Sequence, residues 1–156
     1  MHSLGIIILV HQSLERAAEV AEFWTKANCP VVLHLDQRIA HEDILALKDR
    51  LSGNSFIRFS KRHKCEWGTW GLVAATLASV KLMFQDFPQT DHVFLCSGSC
   101  LPLRPVRDLK SYLARQPDVD FIESATTADV SWTVGGLDAE RFTLRFPFSW
   151  KKQRRL

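Results

Sequence analysis

The sequence has no apolar run long enough to cross a bilayer. About 18–20 residues are needed, and the longest run, Leu4 to Val10, is only strand-sized. Met1, His2 and Ser3 lack the basic start of a signal peptide. The run behind them is too short for its apolar stretch, and no small-residue cleavage site follows. A cytoplasmic chain, or one facing the cytosol, is expected. The four cysteines, Cys29, Cys65, Cys96 and Cys100, include no Cys-x-x-Cys pair, and Cys96 and Cys100 have no His-x-x-x-His companion. Zinc therefore has no recognisable ligand set, and buried free thiols are expected. No G-x-G-x-x-G, Walker A or G-x-S-x-G sequence is present. Their absence argues against a dinucleotide-binding fold, a P-loop NTPase and an α/β-hydrolase.

Nor is the charge extreme. The net charge is +3, with basic residues gathered at Arg58, Lys61, Arg62 and Lys64 and again at Lys151, Lys152, Arg154 and Arg155. Such clusters could face phosphates, but they lack the aromatic interleaving of single-strand nucleic-acid binders. A solvated loop and a frayed end are expected, and no nucleic-acid partner. The 46% apolar and 24% charged fractions over 156 residues suit one globular domain with one core and exclude a disordered or fibrous chain.

What is present is alternation. Gly5 to His11 is a continuous β-branched run, the mark of a strand buried on both faces. Ser13 follows as a helix N-cap candidate, and Leu14, Ala17, Ala18, Ala21 and Trp24 form one face of a helix over Leu14 to Ala27. Val31 to Asp36 reads as a second strand. His41 to Leu51 reads as a second helix, with Ile44, Leu45, Leu47 and Leu51 as its apolar stripe and Gly53-Asn54 as its stop. Ser55 to Phe59 is a third strand. Gly68 to Phe87 is a long helix with a wide apolar face at Leu72, Val73, Thr76, Leu77, Val80, Leu82, Met83 and Phe84. His92 to Cys96 is a fourth buried strand, Val106 to Arg115 a helix, and Val119 to Glu123 a fifth strand. Arg141 to Trp150 is a further extended candidate. The order implies an α/β fold: an open, mostly parallel sheet with helices on both faces. The aromatic tail at Phe146, Phe148 and Trp150 suggests the N-terminal portion of a larger domain, with 1–156 as a single α/β unit.

Ligands of open α/β sheets bind beyond the carboxyl ends of the strands. Here those ends carry His11, then Asp36 with Arg38, then the basic loop leading to Trp67-Gly68, then Ser97-Gly98-Ser99. A carboxylate at Asp36 can accept from ribose hydroxyls or a base N–H, and the planar fork of Arg38 suits phosphate or carboxylate. Trp67 offers a stacking face and Gly68 opens a helix N-terminus suited to a diphosphate. Ser97, Gly98 and Ser99 let backbone approach a ligand closely. For each residue there is a plainer alternative: a turn former at Asp36, a core anchor at Trp67, a tight turn at Ser97 to Ser99. His11 and His34 read as hydrogen-bonded strand histidines. No aspartate follows the fourth strand before Asp108, so a metal held there by acidic oxygens is not expected.

Four segments in order resemble the core-2/I-branching glycosyltransferases, the family of β-1,6-N-acetylglucosaminyltransferases and peptide O-xylosyltransferases. They are ILVHQS (Ile8 to Ser13), HLDQR (His34 to Arg38), WGTWGLVAATL (Trp67 to Leu77) and FLCSGSCLPLR (Phe94 to Arg104). The resemblance implies a GT-A-like fold and inverting, metal-independent transfer of GlcNAc or xylose from a UDP-sugar to an acceptor hydroxyl on a glycan or protein. It further implies that Val10 and His11 flank the uracil, that Asp36 and Arg38 contact uridine, and that Trp67 and Gly68 shape the donor pocket. Ser97, Gly98 and Ser99 would lie near the sugar and diphosphate. Cys100 stands where the family has an aspartate. The family's catalytic glutamate has no counterpart here, since Glu123 and Glu140 sit in unmatched contexts. This segment is thus expected to form the donor side and to carry no catalytic residue. The alternative is a non-catalytic module that binds a nucleotide or sugar on the same fold.

Overall fold

A computed structural model describes residues 3–66, 69–126 and 129–130. The chain divides into two compact units, Met1–Pro117 and Asp118–Leu156. The first contains β1 (Leu4–Val10), α1 (Leu14–Lys26), β2 (Val31–Leu35), α2 (His41–Leu51), β3 (Ile57–Phe59), α3 (Gly71–Asp86), β4 (His92–Ser97) and α4 (Val106–Ala114). The four strands form one sheet in the order β3-β2-β1-β4, and every pairing is parallel. The α/β class and the open parallel sheet are as the alternation implied.

Parallel neighbours need a crossover, and right-handed crossovers fix which face each helix takes. The chain steps from β1 to β2 to β3 in one direction, then returns past β1 to β4. Reversing direction sends the connecting helix to the opposite face. Accordingly α1, α2 and α4 share a core with Ile6, Ile8, Val10, Val31, Leu33 and Leu35. Helix α3 packs on the other face, where Ile7 and Val32 meet Met83. Strand β1, buried on both faces, reads for that reason as an unbroken apolar run rather than an alternating one, and β2, equally buried, departs from one only at His34. Strand β4, expected to be buried, instead leaves Phe94 and Leu95 exposed, because it has a hydrogen-bonded neighbour on one side only among the described residues.

Local details depart from the sequence pattern. Ser13 occupies the N-cap of α1 in a left-handed conformation, and its side chain makes no capping bond; its carbonyl receives the Ala17 N–H instead. Asn54 does more than end α2: its side chain donates to Thr25 Oγ1 at 2.9 Å and accepts the Phe56 N–H at 3.0 Å. Leu45 falls outside the buried stripe of α2. The largest difference is in α3. Its buried positions are Ala75, Ser79 and Met83, whereas Leu72, Val73, Leu77 and Phe84 are exposed. Small side chains face the sheet because the helix rides close to it. The Ser79 hydroxyl bonds the Ala75 carbonyl and shares a hydrogen bond with Ser60 at 2.9 Å. A Cβ on Gly5 would come within 2.9 Å of Met83 and Thr90 side-chain atoms.

The expected fifth strand does not form. Residues 118–126 have no regular secondary structure, and Ile122 stays 82% exposed. Strand propensity is realised through cross-strand packing and burial, and the run Val119 to Glu123 also carries Asp120 and Glu123 on its short length. The extended candidate at 141–150 lies outside the described residues. Among the described residues, no helix is long and apolar enough to cross a membrane.

The α2 stripe provides a test. Leu47 is 4% exposed and Leu45 54%. Leu47→Ala is expected to cost roughly 3 kcal/mol, as a cavity does in a packed core. Leu45→Ala should stay within about 0.5 kcal/mol of wild type. Urea unfolding of both variants checks this, and equal losses would contradict the burial described.

Candidate functional site

The direction of the chain reverses at the boundary between β1 and β4, the place where open α/β sheets bind ligands. Register brings the strand ends together there. Val10 pairs with Leu35, and the Asp36 N–H donates to the Val10 carbonyl at 2.9 Å. On the other side Leu9 pairs with Ser97, which sets Gly98 beside the end of β1. A Cβ on Gly98 would lie 3.6 Å from Ala17 and 3.7 Å from Val10 side-chain atoms, an ordinary contact, so the turn sits directly against the start of α1.

Asp36 is the most constrained group in this region. It is 1% exposed, and its carboxylate accepts four hydrogen bonds. Oδ1 receives the Arg38 N–H and Nε–H, each at 2.8 Å. Oδ2 receives Arg38 Nη2 and the Cys65 N–H, each at 2.9 Å. Burial opposes ionisation of Asp36, but the hydrogen bonds from the Arg38 side chain, the Arg38 amide and the Cys65 amide outweigh it. Together with the charge of Arg38 they hold the carboxyl far below its usual range. Four accepted bonds use all of a carboxylate's lone-pair directions. Arg38 also reaches the Cys65 carbonyl through Nη2 at 2.9 Å. Three of its five donors are thereby spent, and Nη1 is the nitrogen left without a bond among the described residues.

The segment 60–66 is held to the end of β2 by further bonds. Arg62 donates to three carbonyls, Leu35 at 3.3 Å, Asp36 at 2.8 Å and Ile39 at 2.9 Å. Gln37 donates its N–H to the His63 carbonyl at 3.1 Å and its side-chain amide to the Arg62 carbonyl at 3.1 Å. The His63 N–H donates to His34 Nε2 at 2.9 Å. A Cβ on Gly71 would run into the Lys64 carbonyl oxygen, so only glycine lets this segment cross the first residue of α3. The basic run is therefore only partly a solvated loop. Lys61 and Lys64 are exposed, Arg58 pairs with Asp86, and Arg62 is a structural clamp that charge counting alone does not reveal.

Beyond these strand ends lies a groove of about 490 Å³, lined by His11, Gln12, Ser13, Leu14, Arg38, Ile39, Ala40 and Asp43. It unites two residues singled out from the sequence, His11 and Arg38. Val10 and Asp36 are buried behind them. Gln12 follows His11 at the strand end, and Ser13 reads in the sequence only as a helix N-cap; Ile39, Ala40 and Asp43 were not anticipated, because only the fold of the two strand–helix loops brings them together. Ser97, Gly98 and Ser99 form a separate turn at the end of β4. There the Ser97 hydroxyl lies 3.3 Å from Ser99 Oγ and 3.0 Å from Cys100 Sγ, and the Cys100 N–H donates to the Ser97 carbonyl. Those bonds from Ser97 draw the Cys100 thiol below its ordinary range. Burial, with a smaller effect from Cys100, pushes Cys96 up to about 12. Trp67 and Gly68 lie outside the described residues. Among the described residues, no three His, Cys, Asp or Glu side chains come together to hold a metal ion.

A sequence model of the Core-2/I-Branching enzyme family matches residues 7–146. The chain belongs to the Core-2/I-branching enzyme family. That match covers β2, β3, β4, all of β1 but its first three residues, and the whole of the groove, and makes the chain part of a glycosyltransferase family, with a sugar donor and an acceptor as its partners. No individual curated protein matches.

The four bonds to Asp36 set its pH dependence. A depressed carboxyl contributes stability that is complete above the unfolded value of about 3.9 and is lost as pH falls through the folded value. Asp36→Asn is therefore expected to cost about 2 kcal/mol at pH 7. The gap to wild type should narrow as pH drops below about 4. Urea unfolding across that range decides it; a constant gap would mean that the charge is not what holds the cluster.

Proposed function

We propose that this chain is the donor side of an inverting glycosyltransferase that moves a sugar, GlcNAc or xylose, from a UDP-sugar to an acceptor hydroxyl. The observation that carries the proposal is the groove at the strand ends, where His11 and Arg38 face one space in a chain of the Core-2/I-branching family. His11 flanks the uracil, with Val10 buried behind it. Arg38 meets uridine through Nη1, with Asp36 fixing its orientation from behind. A direct bond from Asp36 to uridine would displace one of the four it already accepts. Trp67 and Gly68 shape the pocket, and Ser97, Gly98 and Ser99 lie toward the sugar and diphosphate.

In inverting transfer a carboxylate takes the acceptor's proton as its oxygen attacks the anomeric carbon. Negative charge grows on the departing UDP, and fixed N–H donors and cations stabilise it. We assign the base to no residue of this chain and expect it elsewhere in a larger domain. The turn after β4 offers hydroxyls and a thiol rather than hard anionic oxygens, which supports metal-independent transfer. The four free thiols support a reducing, cytosolic or cytosol-facing location. The second reading is a non-catalytic module that binds a nucleotide or sugar on the same fold. Cys100, where the family has aspartate, favours it.

Calorimetric titration with UDP, with and without Mg²⁺, tests the donor site. Weak binding is expected, with Kd of about 0.1–1 mM, unchanged by Mg²⁺, and about tenfold weaker in Arg38→Ala. A folded sample that binds no UDP rules out the donor site, and strict dependence on Mg²⁺ rules out the metal-free reading.

A further inference from the structure

His34 is the one fully buried imidazole among the described residues. It lies on β2 two positions before Asp36 and does not line the groove. Its Nε2 accepts the His63 N–H at 2.9 Å. A ring nitrogen that accepts carries no proton, so the imidazole is neutral with its hydrogen on Nδ1. Nδ1 itself has no hydrogen-bond partner. The His63 ring stacks on His34, with centroids 5.9 Å apart and planes 22° from parallel. The same His63 residue receives the Gln37 N–H at its carbonyl. The neighbouring links of this segment, Arg62 to the carbonyls of Leu35, Asp36 and Ile39 and the Cys65 amide to the Asp36 carboxylate, end on or near Asp36, which with the Cys65 carbonyl holds Arg38.

We infer that His34 is a positioning residue for the donor site: its neutral imidazole latches segment 61–66, through the His63 amide, onto the strand end that carries Asp36 and Arg38. The positioning role rests on the donor-site reading; the latch does not. A proton on Nε2 would face the His63 N–H donor against donor and open the latch. The segment would then withdraw the Cys65 amide from Asp36 and the Cys65 carbonyl from Arg38. The surroundings oppose that proton. Burial disfavours the cation most and the adjacent His63 adds to it; Asp36 and the residue's own backbone work the other way, and Arg62 contributes least, against the proton; the net direction is downward from an ordinary histidine. Among the described residues, the charged groups of the elements packed around it are otherwise paired or exposed. Strand β1 is apolar, Arg58 of β3 and Asp86 of α3 pair with each other, Lys81 of α3 is exposed, and Lys64 pairs with Glu66. The sign follows: the latch is fully stable above the ordinary histidine value of about 6.5 and weakens as pH falls below it.

Nitrogen-15 NMR of the imidazoles in the wild-type chain gives the first reading. It is expected to show His34 as the Nδ1–H tautomer at pH 7, titrating below an ordinary histidine. An Nε2–H tautomer or a cation at pH 7 would overturn the latch even if every variant failed to fold. Amide exchange gives the second. His34→Gln keeps an acceptor where Nε2 stood and should protect the His63 and Cys65 amides to within about threefold of wild type. His34→Leu should lose at least about tenfold, the equivalent of roughly 1.4 kcal/mol for one buried hydrogen bond. Equal exchange in the two variants would overturn the latch. UDP titration between pH 7.5 and 5.5 gives the third. Wild-type affinity should fall more steeply with acid than that of His34→Gln, and His34→Leu should bind about tenfold more weakly at pH 7.5. Unchanged affinity in His34→Leu would overturn the positioning role. A wild type that binds no UDP would overturn it as well and would count against the donor site, while tautomer and exchange still decide the latch.

Discussion

A carboxylate taken out of water is stable only if it is given hydrogen-bond donors in return. Asp36 is given four, and the arrangement of the whole strand-end region follows from where they come from. Two are Arg38's side chain and one is its amide, so the turn after β2 cannot relax. The fourth is the Cys65 amide, from a segment 29 residues further along the chain. Supplying it requires segment 60–66 to fold back over the end of β2. That segment can do so only because Arg62 satisfies three carbonyls there and Gly71 leaves room at the start of α3.

The consequence for function is a division of labour. Residues that look like ligand contacts on a strand-end list are in fact of two kinds. His11 and Arg38 face the groove. Asp36, Val10 and His34 stand behind it, and the first and last of these set the geometry of what faces it. The Arg38 guanidinium is oriented by these hydrogen bonds without any ligand, and pre-organisation reduces what binding must spend on ordering side chains. On the far side of β1, the Ser97 hydroxyl organises the turn through Ser99 and Cys100, again within a few residues and with the backbone held in place.

Much of the fold was legible in the residues. An unbroken β-branched run announced β1, the spacing of Ala17, Ala21 and Trp24 announced α1, and the element order implied a parallel sheet. The family resemblance carried by Ile8 to Arg104 pointed to the family that the match over residues 7–146 establishes. Other readings failed for physical reasons. In α3 the large apolar residues drew the eye, and of these Met83 does face inward, but close helix–sheet packing places the small Ala75 and Ser79 beside it. Val119 to Glu123 had strand-like composition, but a strand exists only through its ladder and its cover.

The sequence alone therefore determined the alternation of elements, the two-sided burial of β1 and the family, since each depends on local pattern or on motif order along the chain. Tertiary structure alone decided how Asp36, Arg38, Arg62, His63 and Cys65 divide their hydrogen bonds. Those partners lie up to 29 residues apart. Which donor reaches a buried acceptor is set by strand register and close helix approach, and neither is written in the spacing of residues along one segment.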